Sequence, residues 1–444
     1  MNIFLRHIST LSQAQRELRE LGVDSGGIGI MAKKMLMKTI YLQGLSVRAA
    51  NILKQESIAV GGDLALPKEA SFLEGESTDA ILMMSVSQLE MLLLNLRAQP
   101  FGLKQVGEEL NGILRRMKSG YQKPQVMAVL NVTPDSFSQR DASLSDGGEL
   151  FTNNLVDKDK IEQAIEQYIV DGADWIDIGA ESTGPTSKDV SLEEELARLT
   201  PVFELIREKK FTDRIKFSID TWKSEVVKMA IESGISMVND VTALRGDSKM
   251  ASLIAKFGVM STIMYAKDST PRTARELTQY DDVMKTIVQF FQERIAYAES
   301  QGVKREQLIL DPGMGAFVSG DPKYSFEVLN RLGELKIFGL PILIGTSRKS
   351  FIPGKLEERL EGSLASANVA YLNGAEILRM HDVKAARRSL DMIYSIKESE
   401  VALGLTSEPD QGSEPTSGDS QDSELLGTGF DGFCNVLHEE VISE

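Results

Sequence analysis

Polar and charged side chains recur where eight short apolar runs of this 444-residue chain end. In chain order they are Asn131, Asp177, Glu181, Ser182, Thr183, Asp220, Asn239, Asp240, Tyr265, Asp311, Ser347, Arg348, Lys349, Arg379, His381 and Asp382. An unpaired charge costs several kcal/mol to bury, so acids and bases at the ends of adjacent strands must pair with one another or bind something. Parallel α/β folds bind their ligands at the carboxyl ends of strands. The pattern therefore predicts a functional mouth rather than a set of structural salt bridges.

Three of these side chains suit a heterocyclic ligand. Asp220, Asn239 and Asp311 supply acceptors and one amide that can donate. A carboxylate matches a planar N–C–NH₂ edge in the way that an arginine fork matches a carboxylate. A ring with a guanidine-like edge, such as a pterin or guanine, would fit these three residues.

A second group suits an anion. Asn131, Arg379 and His381 fall on the first and eighth runs, which are neighbours in a closed barrel, and we expect them across the mouth from the first group. Two possible cations and an amide oxygen suit an anion bound together with a divalent ion. For His381 alone a core role is the default. Arg379 lies two residues earlier and points to the same face of the strand, which favours a joint role in binding.

The elements that must position these residues are eight strands. They are predicted over residues 126–133, 175–180, 216–221, 236–241, 259–265, 308–312, 341–346 and 376–380. Amphipathic helical periods fill the segments between them. Eight βα units within about 270 residues predict an α/β fold of the (β/α)₈ TIM barrel type. Equal spacing and the lack of a glycine-rich dinucleotide fingerprint favour this barrel over an open, doubly wound sheet.

Two further regions flank the predicted barrel, which we place at residues 124–396. Residues 1–118 predict a small N-terminal α/β domain of unknown role, with strands at 2–7, 27–31, 39–42 and 80–85 and helices starting near residues 12, 46, 87 and 103. Residues 401–444 have few aliphatic side chains, so they bury too little apolar surface to offset the entropy of ordering. We expect a disordered acidic tail there.

Composition narrows the class of protein. The formal charge is -16, but ten acids and no Lys or Arg follow Val401, which leaves about -6 on the remainder, an ordinary surface charge. No region of the sequence has the excess of Lys and Arg that is typical of a nucleic-acid-binding protein. The single cysteine, Cys434, excludes an internal disulfide framework and fits a reducing compartment. No signal peptide or bilayer-spanning run is visible, so we expect a cytoplasmic protein without a membrane partner.

Seven short motifs, in order along the predicted barrel, carry a family resemblance. They are NVTPDSF at 131–137, GAEST at 179–183, SIDT at 218–221, VND at 238–240, LDPG at 310–313, GTSRKSFI at 345–352 and RMHDV at 379–383. Together they resemble dihydropteroate synthase over residues 124–396. The N-terminal region resembles the extension found on long members of that family.

The resemblance implies a pterin-binding barrel that joins 6-hydroxymethyl-7,8-dihydropterin diphosphate to p-aminobenzoate, releasing diphosphate and 7,8-dihydropteroate. It implies that Asn131 helps to hold Mg²⁺ on the diphosphate. Arg379 and His381 would contact the diphosphate oxygens. Together with Lys349, these two residues are expected to carry the catalytic roles.

The resemblance also assigns the two organic substrates. Asp220, Asn239 and Asp311 would hold the pterin edge, with Lys349 near the ring carbonyl and nitrogen. The p-aminobenzoate site would be lined by Ser347 and Thr183. Both substrates are small molecules, and we expect a homodimer.

Departures from the family pattern keep the second substrate open. Gly184 stands where the family has a loop arginine, Ala316 falls in a changed glycine-rich stretch, and Tyr265 replaces a histidine. One alternative is a pterin-barrel methyltransferase that passes a methyl group from a reduced folate to a corrinoid. It would need the pterin half of the site but no diphosphate half. Another is a pterin-binding protein without turnover.

Overall fold

The computed structural model describes residues 2–4, 6, 8–116, 122–133, 151–152, 155–181, 189–274 and 276–402. The described residues belong to one compact unit. The predicted acidic tail lies outside the described residues from position 403 onward. None of the helices described is both long enough and apolar enough to cross a membrane.

The N-terminal region contains a three-stranded antiparallel sheet in the order β1-β3-β2. Its elements are α1 (Leu11–Glu20), α2 (Ser25–Lys34), β1 (Met37–Ser46), α3 (Val47–Ala59), β2 (Asp63–Ala65), α4 (Lys68–Ser71), β3 (Ser77–Ser85), α5 (Val86–Leu96) and α6 (Leu103–Arg116). Leucines from the sheet and from α3 and α5 form its core. The predicted strands at 39–42 and 80–85 are confirmed as parts of β1 and β3. The predicted helix starts lie within one residue of α1, α3, α5 and α6.

Two predicted strands in this region are wrong. Residues 27–31 lie inside α2, and the described part of 2–7 forms no strand. Asp24 Oδ1 accepts a hydrogen bond from the backbone N–H of Gly26 at 2.9 Å and so caps α2. A short apolar run such as GIGIM does not distinguish a strand from a helix by its periodicity, and here the cap decides.

The barrel strands are those predicted, one in each of the eight runs. In chain order the elements are β4 (Gln125–Asn131), the outlying antiparallel pair β5 (Phe151–Thr152) and β6 (Leu155–Val156), then β7 (Trp175–Gly179), β8 (Lys216–Asp220), β9 (Met237–Asp240), β10 (Met260–Met264), β11 (Leu308–Asp311), β12 (Leu343–Ile344) and β13 (Ile377–Met380). Eight of them pair in parallel in the order β11-β10-β9-β8-β7-β4-β13-β12, and a bridge between Leu310 and Ile342 joins the two ends. This ring confirms the (β/α)₈ barrel and excludes the doubly wound sheet.

Helices surround the barrel. They are α7 (Lys158–Val170), α8 (Leu192–Lys209), α9 (Ser224–Glu232), α10 (Met250–Phe257), α11 (Val283–Ser300), α12 (Pro322–Arg331), α13 (Leu360–Leu372) and α14 (Val383–Ala402). Their apolar faces pack on the outward side chains of the strands in one large core. In α7, for example, Ile161 and Ile165 are fully buried, as expected for residues one turn apart on one face.

Alternation along each strand decides which side chains enter the barrel. Six apolar residues form a cluster within it at the amino ends of the strands: Met127, Trp175, Met237, Ile309, Leu343 and Ile377. Residues two positions further along a strand point to the same side. This places Asp177, Asn239, Asp311 and Arg379 inside the barrel near its carboxyl end.

Candidate active site

A hydrogen-bonded network of charged side chains crosses the mouth of the barrel. Arg379 on β13 donates from Nε to Asp177 Oδ2 at 2.7 Å and from Nη2 to Asp220 Oδ2 at 2.9 Å. Asn239 on β9 donates to the same Asp177 oxygen at 2.9 Å. Four strands that are distant in sequence therefore meet through one guanidinium group and two carboxylates.

Burial changes the ionisation of two carboxylates predicted for this site. It raises the pKa of Asp311 to about 6, although the backbone N–H of Gly313 donates to Oδ1 at 2.8 Å and opposes the shift. It raises the pKa of Asp220 to about 7, and the neighbouring Asp177 carboxylate adds to that rise. Desolvation disfavours the charged form of an acid, so both groups would gain from a ligand that donates hydrogen bonds to them.

Lys349 brings a second cation to the same mouth. Its ammonium lies 5.1 Å from the centre of the Phe317 ring. Burial lowers the pKa of Lys349, the positive charge of Arg379 lowers it further, and Asp311 and Asp220 oppose the shift. The predicted neighbourhood of Lys349, Asp220 and Asp311 is thus present in the folded chain.

The segment that carries Lys349 is fixed from both sides. Ser347 Oγ lies 3.0 Å from His381 Nδ1 and accepts the backbone N–H of His381 at 3.2 Å, which joins these two predicted residues. Arg348 has a positive φ of 57° and donates from Nε to Asp382 Oδ2 at 3.0 Å. The ion pair with Asp382 helps to hold Arg348 in this strained backbone conformation, at the rim of the proposed site.

Two glycines leave space beside the network. A Cβ on Gly179 would lie 3.4 Å from Asp220 Cβ and 3.8 Å from Asn131 Oδ1. A Cβ on Gly345 would lie 3.8 Å from Arg379 Cβ. Both positions lie at the mouth, so the missing side chains open room for a flat ligand between the polar groups.

The two predicted groups stand on separate strands, with β4 and β7 between β13 and β8, but their side chains are in contact. We expected Arg379 across the mouth from Asp220, but the guanidinium reaches Asp220 directly. The physical reason is the length of the arginine side chain. It reaches across the barrel interior from β13 to β8, two strands that β4 and β7 separate in the sheet. Asn131 lies at the end of β4, while Thr183 lies outside the described residues.

One residue of this network was not assigned a role from sequence. Asp177 is fully buried and accepts hydrogen bonds from both Asn239 and Arg379. The sequence did contain a signal for an inward position of Asp177. It lies two residues after Trp175, in a strand whose side chains alternate between the inside and the outside of the barrel. Asp240, also at a strand end, instead accepts the backbone N–H groups of its own loop at Thr242 and Leu244, both at 2.8 Å.

Two of the three residues that differ from the family pattern, Tyr265 and Ala316, contact neighbouring residues in the folded chain. The Tyr265 hydroxyl lies 3.1 Å from that of Tyr280, and its ring packs edge-on against Phe290. The carbonyl of Ala316 accepts from Thr273 Oγ1 at 2.9 Å. Gly184 lies outside the described residues.

A cationic bridge spans the ends of segment 182–188. Arg272 donates to Glu181 Oε1 at 2.5 Å and to Asp189 Oδ1 at 2.6 Å, and these acids flank the segment. Lys223 donates to Glu181 Oε2 at 2.6 Å and to the Val190 carbonyl at 2.9 Å. Two cations therefore fix the spacing between the two ends of a segment that contains Thr183.

No group of three or more His, Cys, Asp or Glu side chains within the described ranges could hold a metal ion. The closed barrel and its charged mouth define the class: a (β/α)₈ barrel with a network of charged and amide side chains at the carboxyl ends of its strands.

Comparison with known proteins gives the particular family. A family model described as pterin binding enzyme matches residues 127–381. The bifunctional dihydropteroate synthase/dihydropteroate reductase of Helicobacter pylori is 31% identical over 387 residues, which cover 86% of this chain and 96% of that protein. The dihydropteroate synthase of Escherichia coli is 39% identical over 283 residues, covering 62% of this chain and 94% of that protein.

A solved structure agrees with the sequence matches. The dihydropteroate synthase of Xanthomonas albilineans with 4-aminobenzoic acid is 33% identical, has a TM-score of 0.53, and covers 62% of this chain and 93% of that chain. The chain belongs to the dihydropteroate synthase family of pterin binding enzymes.

Proposed function

We propose that this protein condenses 6-hydroxymethyl-7,8-dihydropterin diphosphate with p-aminobenzoate, giving 7,8-dihydropteroate and diphosphate, as a step of folate biosynthesis. The observation that carries the proposal is the network of Asp177, Asp220, Asn239 and Arg379 at the barrel mouth of a chain in this family. The relatives described above are synthases, which favours this reaction over methyl transfer to a corrinoid.

The pterin edge is assigned to Asp220, Asn239 and Asp311. The two buried carboxylates have raised pKa values and lack enough donors to offset their desolvation. An N–C–NH₂ edge supplies such donors in a planar pair. Lys349 would donate to the ring carbonyl from the same wall of the site.

The reaction exchanges a C–O bond for a C–N bond. The diphosphate leaves with the bonding electrons, and Arg379 and His381 would stabilise the charge that develops on it. The electron-rich pterin stabilises the methylene cation, to which the aryl amine adds before it loses a proton to water. The protein neutralises the leaving group and positions the reactants, and it need not supply a nucleophile.

Magnesium fits the oxygen donors available here. Mg²⁺ commonly keeps several waters and takes one or two protein oxygens together with substrate phosphates. Asn131 ends β4 with a half-buried side chain whose Oδ1 faces the space above Gly179. We propose Asn131 as the protein ligand, and the bound ion would supply further charge neutralisation to the diphosphate.

The second substrate is assigned to Ser347 and Thr183. Ser347 is 4% exposed and contacts His381, so it joins the proposed p-aminobenzoate site to the diphosphate end. The Xanthomonas albilineans structure with 4-aminobenzoic acid supports a substrate of this class. A homodimer and a cytoplasmic location are further parts of the proposal.

A reductase activity is a second candidate function. The bifunctional Helicobacter pylori relative matches 86% of this chain, against 62% for the Escherichia coli synthase, so its match includes sequence outside the barrel. We propose that the full chain also reduces 7,8-dihydropteroate, which takes up two electrons and one proton from a hydride donor together with a second proton. Substrate-dependent oxidation of NADPH or reduced flavin, each supplied separately, is the expected result. If dihydropteroate does not raise the rate of cofactor oxidation above the rate measured without it, this activity is ruled out.

The synthase proposal is tested by calorimetry and turnover with the full chain. We expect dihydropterin diphosphate to bind in the presence of Mg²⁺, and p-aminobenzoate to be converted into dihydropteroate with release of diphosphate. Absence of binding would contradict the assignment of the site. Binding without turnover would instead identify a pterin-binding protein that is not an enzyme.

A further inference from the structure

The Arg379 guanidinium has three nitrogens, and two of them make a hydrogen bond. Its Nε is bonded to Asp177, its Nη2 is bonded to Asp220, and its Nη1 makes no hydrogen bond to any residue in the described part of the chain. The side chain is 18% exposed, so one edge of the guanidinium faces the mouth. An anion that binds this edge through Nη1 and Nη2 shares Nη2 with Asp220, whereas the Asp177 contact is made through Nε.

Asp177 connects the two halves of the proposed site without belonging to either. It is level with Ser218 in the β7–β8 register, while Gly179 is level with Asp220 nearer the mouth. A single oxygen, Oδ2, accepts from Asn239 on the pterin side and from Arg379 on the diphosphate side. The other oxygen, Oδ1, is buried and has no hydrogen-bond partner within the described ranges.

Asp220 is the point of competition. A ligand edge of the N–C–NH₂ type needs both carboxylate oxygens for a bidentate contact. One of these oxygens, Oδ2, already accepts from Arg379. Each end of the substrate would therefore contact one member of the Arg379–Asp220 pair, and sharing Oδ2 or Nη2 with a ligand weakens the bond between them.

We infer that Asp177 is a positioning residue and that it makes the pterin edge and the diphosphate bind cooperatively. The first ligand to bind bears the cost of separating Arg379 from Asp220, and the second does not, so each tightens the other by the same factor. Asp177 keeps hold of Nε during this exchange. The guanidinium turns about that contact instead of leaving the site, and Asn239 stays in register with it. This inference rests on the proposed synthase function.

The test measures this coupling with the two halves of the substrate as separate molecules. Calorimetry gives the dissociation constant of 6-hydroxymethyl-7,8-dihydropterin, without a diphosphate, in the absence and presence of saturating inorganic diphosphate and Mg²⁺. For the wild-type chain we expect diphosphate to lower that constant about fivefold or more, in the usual range for coupled sites. The reciprocal titration should give the same factor.

Two variants and one control identify the residues responsible. Asp177→Asn removes the charge that holds Nε and should reduce the factor to below about twofold. Arg379→Lys keeps a cation for the diphosphate but has one ammonium in place of a fork, so it should lose the coupling as well. Thr262→Val is the matched control, because Thr262 is equally buried in β10 and its hydroxyl contacts Met237 Sδ. It should keep the wild-type factor.

Each outcome separates the inference from the function it rests on. Coupling in the wild type and in Thr262→Val, lost in both site variants, supports the inference. If both ligands bind the wild type with a factor near one, the inference is overturned and the synthase proposal stands. If neither ligand binds, both fall. The wild-type measurement alone decides the cooperativity, even if Asp177→Asn does not fold.

Discussion

The two ends of the barrel interior are built from the same strands and have opposite chemistry. The amino ends carry an apolar layer, and the carboxyl ends carry charged and amide side chains two residues further along. Each charged or amide residue of the mouth follows an apolar residue by two positions. The pairs are Trp175 and Asp177, Met237 and Asn239, Ile309 and Asp311, and Ile377 and Arg379. One step of the strand repeat therefore separates a layer that stabilises the fold from the layer that we propose binds ligands.

The energetic consequences of the two layers differ. The apolar side chains at the amino ends of the strands form the lower layer. Their burial stabilises the fold by about 25 cal/mol for each Å² removed from water. At the mouth, burial instead raises the pKa values of Asp220 and Asp311, which means that the ionised groups oppose folding until a partner arrives. The comparison predicts that lower-layer substitutions change stability, while mouth substitutions change affinity.

The largest effect is expected in the lower layer. Trp175 is 2% exposed and donates from Nε1 to Gln125 Oε1 at 2.7 Å. Trp175→Ala should lower the free energy of unfolding by about 3–5 kcal/mol because it leaves a cavity, as measured by urea denaturation. Ile309→Val, with about 1 kcal/mol expected, is the graded control. A large loss of pterin affinity in folded Trp175→Ala would break the comparison, since the two layers would then not be separable.

At the mouth, Asp311→Ala should weaken pterin binding by about 2–4 kcal/mol, because ligand donors would be buried without their acceptor. Calorimetry with the dihydropterin measures this loss. Circular dichroism confirms that the variant is folded. Unchanged affinity in the folded variant would refute the role of Asp311 in binding.

The same residue should show the reverse effect on stability. The pKa of Asp311 is about 6 in the folded chain against its ordinary value of 3.8, so the native state holds its proton more tightly than the unfolded state does. Stability is therefore lost as pH rises from about 4 through 6. Asp311→Asn removes this loss, and its stability relative to wild type should rise by about 2 kcal/mol between pH 4 and pH 8. A pH-independent difference in denaturation would show that burial does not perturb this carboxyl.

The smallest effect is expected at the exposed rim of the lower layer. The Lys216 ammonium lies 5.1 Å from the centre of the Trp175 ring. Lys216→Ala should cost about 0.5 kcal/mol, because a cation–π contact at an exposed site is weak. Thermal denaturation of the variant beside wild type measures it. A loss above about 1.5 kcal/mol would mean that the stem of Lys216 shields the tryptophan from water.

Much of the barrel could be predicted because its signals are local. Each of the eight runs is apolar, β-rich and followed by a polar group, and a helical period separates it from the next. Strand alternation predicted Arg379 and His381 on one face; Arg379 lies in β13 and contacts Asp177, and His381 follows the end of β13 and contacts Ser347. In the N-terminal region, 27–31 was assigned to a strand because five apolar or glycine residues have no diagnostic period, and the Asp24 cap made it a helix.

The sequence by itself determined the barrel strands, their order and which residue types stand at their ends, because these follow from periodicity along the chain. Only the tertiary structure decided which of those residues touch. Asp177, Asp220 and Arg379 are separated by up to 202 positions, and their hydrogen bonds depend on barrel closure and on the reach of one side chain across its interior. Nothing in the local sequence separates Asn239, which enters that network, from Asp240, which binds its own loop. The side of the strand that faces inward is known only once the barrel has formed.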